Sequence, residues 1–247
     1  MFSTRERDDL RDRLVAAARD DDRITAAALV GSRARDAEDA WSDIDLALRL
    51  SDGLDSDGVA GDWTTRMYES AGAVDHLDVW SGTTLFRVFL LDSSLQVDLS
   101  FWASKTFAAL GSSFRLLFGE ANDPQPPRAS APGTLVGMGW LYALHARSSI
   151  ARGRTLQALY MINCMRDQVV ALACLRHDLP AHEGRGVDDL PVGLRVSLAG
   201  TLVHGLHRSE LRRAFAASVS ALLEEAQQVD ADRERRLRET LRGLTRV

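Results

Sequence analysis

The stretch Asp43-Ile44-Asp45 places two carboxylates two residues apart, inside SDIDLALRL, which alternates apolar and polar side chains from residue 42 to 50. Such a period of two is the pattern of a half-buried strand, so both aspartates project from one face. Two carboxylates held that close repel each other, and a cation relieves the repulsion. Separated from that pair by ten residues, Gly31-Ser32 ends the apolar run ITAAALVG and stands where a helix is expected to start. A glycine lets backbone amides approach a phosphate, a helix N-terminus adds donors and a favourable dipole, and Ser32 offers a hydroxyl. A third carboxylate is expected on a neighbouring strand, where LQVDLSFW sets Asp98 among apolar residues. Asp75 and Asp78 of VDHLDVW are rivals for that place.

Three converging aspartates make an all-oxygen site of the kind magnesium prefers, completed by a triphosphate. Two ions about 3.5–4 Å apart polarise the phosphorus under attack and stabilise both the attacking and the leaving oxygen. Each part also has a plainer reading. Gly-Ser after a strand is often a turn, and Asp-x-Asp is often a solvated strand face. Their joint register with Asp98 favours the catalytic reading.

Glycine-serine, a spacer of this length, Asp-hydrophobic-Asp and a later strand aspartate resemble the signature of the DNA polymerase beta superfamily of nucleotidyltransferases. GSRAR followed by WSDIDL is similar to the aminoglycoside and lincosamide nucleotidyltransferases within it, and Ser42 before the first aspartate belongs to the same pattern. The resemblance is specific over residues 24–50, extends through about 102, and is only architectural afterwards. It implies a mixed, twisted sheet of the nucleotidyltransferase type followed by an α-helical bundle, an α+β fold. It implies Asp43, Asp45 and Asp98 as catalytic metal ligands for two magnesium ions, and Gly31, Ser32, Arg33 and Ser42 as nucleotide contacts. The implied reaction moves AMP from ATP to a hydroxyl of a small molecule, an antibiotic among the candidates, as in antibiotic resistance. Many relatives have glycine after GSRAR where this chain has Asp36, which bears on the shape of the loop and on any phosphate role for Arg35. Arg33 and Arg35 either clamp phosphate or pair with Asp36, Glu38 and Asp39.

The elements that must position these residues follow from pattern. Helices are expected over 5–19 and 62–72, and strands over 24–31, 42–50, 74–80, 85–91 and 95–102, with 51–61 a loop. ANDPQPPRASAPG (121–133) holds four of the six prolines and reads as a linker between a nucleotidyltransferase domain (1–120) and a helical domain (134–247). Helical patterns follow over 134–152, 154–178, 191–206, 209–227 and 231–245. The second of these sets Tyr160, Cys164, Val170 and Cys174 on a buried stripe and interrupts it with Arg166-Asp167. A buried charge is paired or functional, so Asp167 is a candidate acceptor contact or base, with an ion pair as the alternative. His145, Arg147 and the loop 182–191 carry the same two readings. Trp41, Trp80, Trp102 and Trp140 read as core or interface fillers.

Composition narrows the classes. Residues 1–120 carry 13 Lys and Arg against 22 Asp and Glu, a net of −9, while the whole chain has −5. A nucleic-acid binder is expected to show a basic stripe, so the acceptor is expected to be a small molecule and not a nucleic acid. The acidic half suits a cationic partner or metal ions. Two cysteines are too few for a disulfide framework and read as buried thiols. The polar N-terminus and the lack of an apolar run near the ~18 residues of a membrane span point to a cytoplasmic protein. Two other functions fit less well. A toxin-adenylylating antitoxin is usually a minimal domain, and a helical ribonuclease pairing Arg176 with His182 must accommodate Pro180 between them.

Overall fold

The computed structural model describes residues 2–109, 113–124 and 131–246. Two compact units divide the chain, Met1–Arg128 and Ala129–Val247. Part of the stretch expected to be a linker, residues 125–130, lies outside the described residues.

The first unit is built on a mixed sheet. Helix α1 (Thr4–Asp20) opens on a capping box in which Ser3 and Glu6 satisfy each other's backbone donors, and it buries Leu10, Leu14 and Ala18. Strand β1 (Ile24–Val30) runs into a single helical turn, α2 (Gly31–Ala34). Strand β2 (Ile44–Leu50) precedes helix α3 (Ser56–Ser70), which begins inside the expected loop because the Asp55 side chain caps it. Strands β3 (Ala73–Ser81), β4 (Thr84–Leu91) and β5 (Gln96–Trp102) follow, and β6 (Phe114–Phe118), unseen in the sequence pattern, closes the sheet. The order across the sheet is β3-β4-β5-β2-β1-β6. Only β2 and β5 pair in parallel; the other neighbours are antiparallel.

The two sheet faces have different fates. Ile44, Leu46, Leu48, Val97, Leu99 and Phe101 join Leu10 and Leu14 of α1 and Trp63 and Met67 of α3 in one core. The opposite face has a smaller core of Ala26, Ala28, Ala47, Trp102 and Phe107. Because side chains alternate along a strand, Asp45 shares its face with Ala47, and Asp98 shares its face with Trp102. The site residues therefore stand on the thinly covered face, beside a patch of packing that holds their strands in place.

The second unit is helical throughout its described residues. It comprises α4 (Pro132–Ala151), α5 (Thr155–Arg176), short 3-10 turns at His182–Gly184 and Val187–Asp189, then α6 (Val192–Gly200), α7 (Arg208–Val229) and α8 (Ala231–Leu244). Its core draws Leu135, Ile162, Met165, Val169, Phe215 and Leu222 from α4, α5 and α7. Helix α5, contrary to expectation, is long and apolar enough to cross a membrane by length and composition, with 44% of its most apolar window buried. Its buried residues pack against α4 and α7, which accounts for the apolar run as core. The expected stripe holds for Val170 and Cys174, but Tyr160 is 64% exposed.

Candidate active site

Asp45 and Asp98 are register partners across the parallel β2·β5 ladder. That pairing puts their side chains next to each other on one face. Asp43 precedes the first residue of β2, so it sits on a loop end and not, as expected, within the strand. One carboxylate oxygen from each of Asp43, Asp45 and Asp98 lies within 4.8 Å of the others, and all three residues are half-buried. Gln96 donates to Asp98 Oδ1 at 3.0 Å.

Gly31 borders this triad. Its φ is +65°, in the left-handed region that glycine tolerates best. A Cβ at that position would overlap the carboxylate of Asp45, with Asp45 Cγ only 2.9 Å away. Bare backbone beside a carboxylate triad is what a phosphate bridging amides and metal requires. The hydroxyl of Ser32 is buried and has no hydrogen-bond partner among the described residues. A buried unsatisfied hydroxyl costs free energy unless something completes it. The residues present thus fit a divalent cation and a triphosphate: three converging oxygen donors, a glycine backbone against Asp45 and an unused hydroxyl. The helix-dipole contribution is smaller than expected, because α2 is one turn long.

The remaining candidates fall elsewhere. Arg33 reaches Glu38 at 3.1 Å, the ion-pair alternative, and Arg35 is exposed. Ser42 accepts from the Asp39 amide at 2.9 Å and donates to Asp39 Oδ1 at 3.1 Å, so its side chain braces the loop leading to Asp43. Asp36 adopts φ +53°, a left-handed conformation that glycine tolerates best. Its carboxyl is held below the usual range by a hydrogen bond from Arg115. Asp75 and Asp78 lie on the edge strand β3, outside the triad. The Arg87 guanidinium donates twice to Asp78 at 2.6 Å and holds that carboxyl below its ordinary value.

Asp167 is exposed on α5 and lines a cavity of about 430 Å³ in the helical unit, with Arg166, Val170, Glu183, Gly184 and Val187. Arg166 Nε is buried and without a partner among the described residues. His145 and Arg147 do not line this cavity. Arg176 is held by Glu225 through bonds of 2.9 and 2.7 Å, while His182 is exposed beside Glu183. Of the tryptophans, Trp102 is buried and Trp140 packs on the helical core, but Trp41 and Trp80 are 75% and 51% exposed and are not core fillers.

Sequence pattern passed over Arg7, Arg11 and the role of Glu38. Their helix reads as an ordinary charged face, and only the fold turns these side chains toward the loop 37–42.

No protein-family model matches the chain, and no curated protein sequence matches it. Solved structures give partial likenesses. An aminoglycoside 6-adenyltransferase from Bacillus subtilis aligns over 96% of this chain and 97% of that one, at 12% identity and a TM-score of 0.42. The Cid1 poly (U) polymerase aligns over 40% of this chain and 32% of that one, at 19% identity and a TM-score of 0.32. Both likenesses are distant in sequence and in geometry, and the chain is left to its own features. Its functional reading rests on the site itself.

Proposed function

We propose that the chain is a nucleotidyltransferase that moves AMP from ATP to a hydroxyl of a small molecule. The observation that carries this reading is the convergence of Asp43, Asp45 and Asp98 beside the bare backbone of Gly31. In this reading all three aspartates hold divalent metal, and Gly31 and Ser32 receive the triphosphate. Two magnesium ions bound there would supply positive charge to the α-phosphate and to the attacking and leaving oxygens.

The chain's own residues divide the remaining work. Asp45, whose carboxylate borders Gly31, and Asp43 are assigned the triphosphate end. Asp98 is next to β4 on the other side of β2 and takes the proton from the acceptor hydroxyl as it attacks. The acceptor oxygen bonds to the α-phosphorus while the bond to the bridging oxygen breaks, and pyrophosphate leaves. Asp167 is proposed as an acceptor contact, supported by its place on a cavity that Arg166 and Glu183 also line. Arg33 and Ser42 are proposed as further nucleotide contacts: Arg33 keeps a buried Nε without a partner among the described residues, and Ser42 stands directly before Asp43. A small-molecule acceptor, an aminoglycoside- or lincosamide-like antibiotic among them, suits the acidic first half better than a nucleic acid does.

The test is incubation of the full chain with labelled ATP, magnesium and a panel of aminoglycosides, lincosamides and short RNAs, read by mass spectrometry. An AMP adduct on a small molecule, abolished in Asp43→Asn and Asp45→Asn proteins of unchanged circular dichroism, is the expected result. Nucleotide added only to RNA would move the acceptor class. No adduct with any acceptor would refute the reading for this panel.

A further inference from the structure

Asp45 and Asp98 are held by ladder pairing, but Asp43 lies one residue outside it, where mutual repulsion among three carboxylates would push it away. Its place must come from the loop 37–42, and that loop is gripped from beneath. The Glu38 side chain is 7% exposed and meets Arg11 at 2.8 Å, Arg33 at 3.1 Å and Arg7 at 3.7 Å. Arg7 and Arg11, on α1, are themselves only 3% and 6% exposed. Arg7 also donates to the carbonyls of Asp39 at 2.6 Å and Ser42 at 3.3 Å, the latter belonging to the residue directly before Asp43. Asp8 supplies a second carboxylate, 2.9 Å from Arg11 and 3.3 Å from Arg7.

Two buried guanidiniums on one buried carboxylate, with the part-exposed Arg33 and Asp8 at the edge, form a costly cluster for a small unit, and packing alone would be served as well by apolar residues. Its bonds run to the loop, and Arg7 ends on backbone carbonyls that a shorter or neutral side chain would leave unsatisfied.

We propose that Arg7, Arg11 and Glu38 are positioning residues that hold Asp43 in the triad before metal arrives. The inference rests on the metal-binding reading of the site. Arg7 fixes the backbone at Ser42, Glu38 fixes the start of the loop, and Arg11 binds Glu38 to α1. A preset third ligand spares the metal the cost of ordering the loop, as outer partners do for ligands elsewhere.

The experiment titrates the full chain with Mn²⁺ alone, followed by electron paramagnetic resonance, in wild type, Asp43→Asn, Arg7→Ala, Glu38→Gln and the double variant Arg7→Ala/Asp43→Asn. The expected result is a loss of Mn²⁺ affinity of about tenfold or more in Arg7→Ala and Glu38→Gln, the scale of lost outer-shell support. Arg7→Ala should add little in the Asp43→Asn background, because it acts through that ligand. Should Arg7→Ala fail to fold, the near-isosteric Glu38→Gln decides alone. A lowered melting temperature with wild-type Mn²⁺ affinity well below it overturns the proposal, as does an additive loss in the double variant. Unchanged Mn²⁺ affinity in Asp43→Asn would instead strike the metal-binding reading itself.

Discussion

Gly31 and Asp45 approach so closely that a Cβ on the glycine would lie 2.9 Å from Asp45 Cγ, with the carboxylate oxygen nearer still. The contact joins the turn after β1 to the start of β2, and the glycine's φ of +65° makes it possible. Gly31→Ala must therefore displace the Asp45 carboxylate and strain the turn by about 1–2 kcal/mol. Calorimetric titration should find triphosphate affinity reduced by about tenfold or more, a change of roughly 1.4 kcal/mol. Affinity equal to wild type would remove this turn from the site.

Asp36 carries a side chain at a backbone conformation few residues tolerate, φ +53°, and Arg115 bonds its carboxylate. Asp36→Gly should keep the loop and most of the stability, since glycine is at ease there. Asp36→Val combines a β-branch with the same conformation and should cost at least about 1 kcal/mol more. Denaturant midpoints of the two proteins check the order; equal midpoints would mean the conformation exerts no strain.

In the proposed reaction Asp98 takes the proton and Asp167 contacts the acceptor. Asp98→Asn should keep much of the ATP–magnesium affinity through Asp43, Asp45 and Gly31, yet slow transfer about 100-fold or more. Asp167→Asn should weaken acceptor binding and leave the single-turnover rate at saturating acceptor near normal. Rapid-quench measurements on both proteins separate the roles, and the reverse pattern would give the proton to the helical unit.

Acid stability of the first unit depends on Asp21. Hydrogen bonds from Arg23, then from its backbone amide and the Trp63 indole, hold this carboxyl at about 2, against an ordinary value of 3.8, although burial pulls the other way. The folded value is the lower one, so the unfolded chain takes up the proton first. The stabilisation is complete above the ordinary value and fades as pH falls toward the folded one. Asp21→Asn should therefore be less stable than wild type at neutral pH, with the difference shrinking as pH drops below about 4. Urea titrations across that range test it, and a difference independent of pH would exclude the linkage.

Much of this was legible in the chain. The strands around 44–50 and 96–102 announce themselves by alternation, because one face must meet the core and the other must not, and 85–91 by its apolar run before a turn. Strand β6 did not, since FRLLF is too short to show a period, and only its pairing with β1 makes it a strand. The start of α3 was hidden in Asp and Gly because a capping side chain, not apolar spacing, sets it.

The residue types and spacings alone determined that Asp45 stands on the polar face of its strand, with Asp43 two residues before it, and that Gly31-Ser32 ends the preceding strand. These are facts of local geometry, and a period of two or a strand-ending glycine needs no distant partner. Tertiary structure decided the rest. Asp98, and not Asp75 or Asp78, meets the pair because β5 is the parallel neighbour of β2 while β3 lies at the sheet edge. Arg33 and Ser42 turn to Glu38 and Asp39, and Arg7 and Arg11 reach the loop 37–42 from 32 and 27 residues away. Long, flexible side chains have many possible partners within a sequence. Which carboxylate or carbonyl they find is set by packing, since a buried guanidinium bonds whatever acceptors the fold brings within reach.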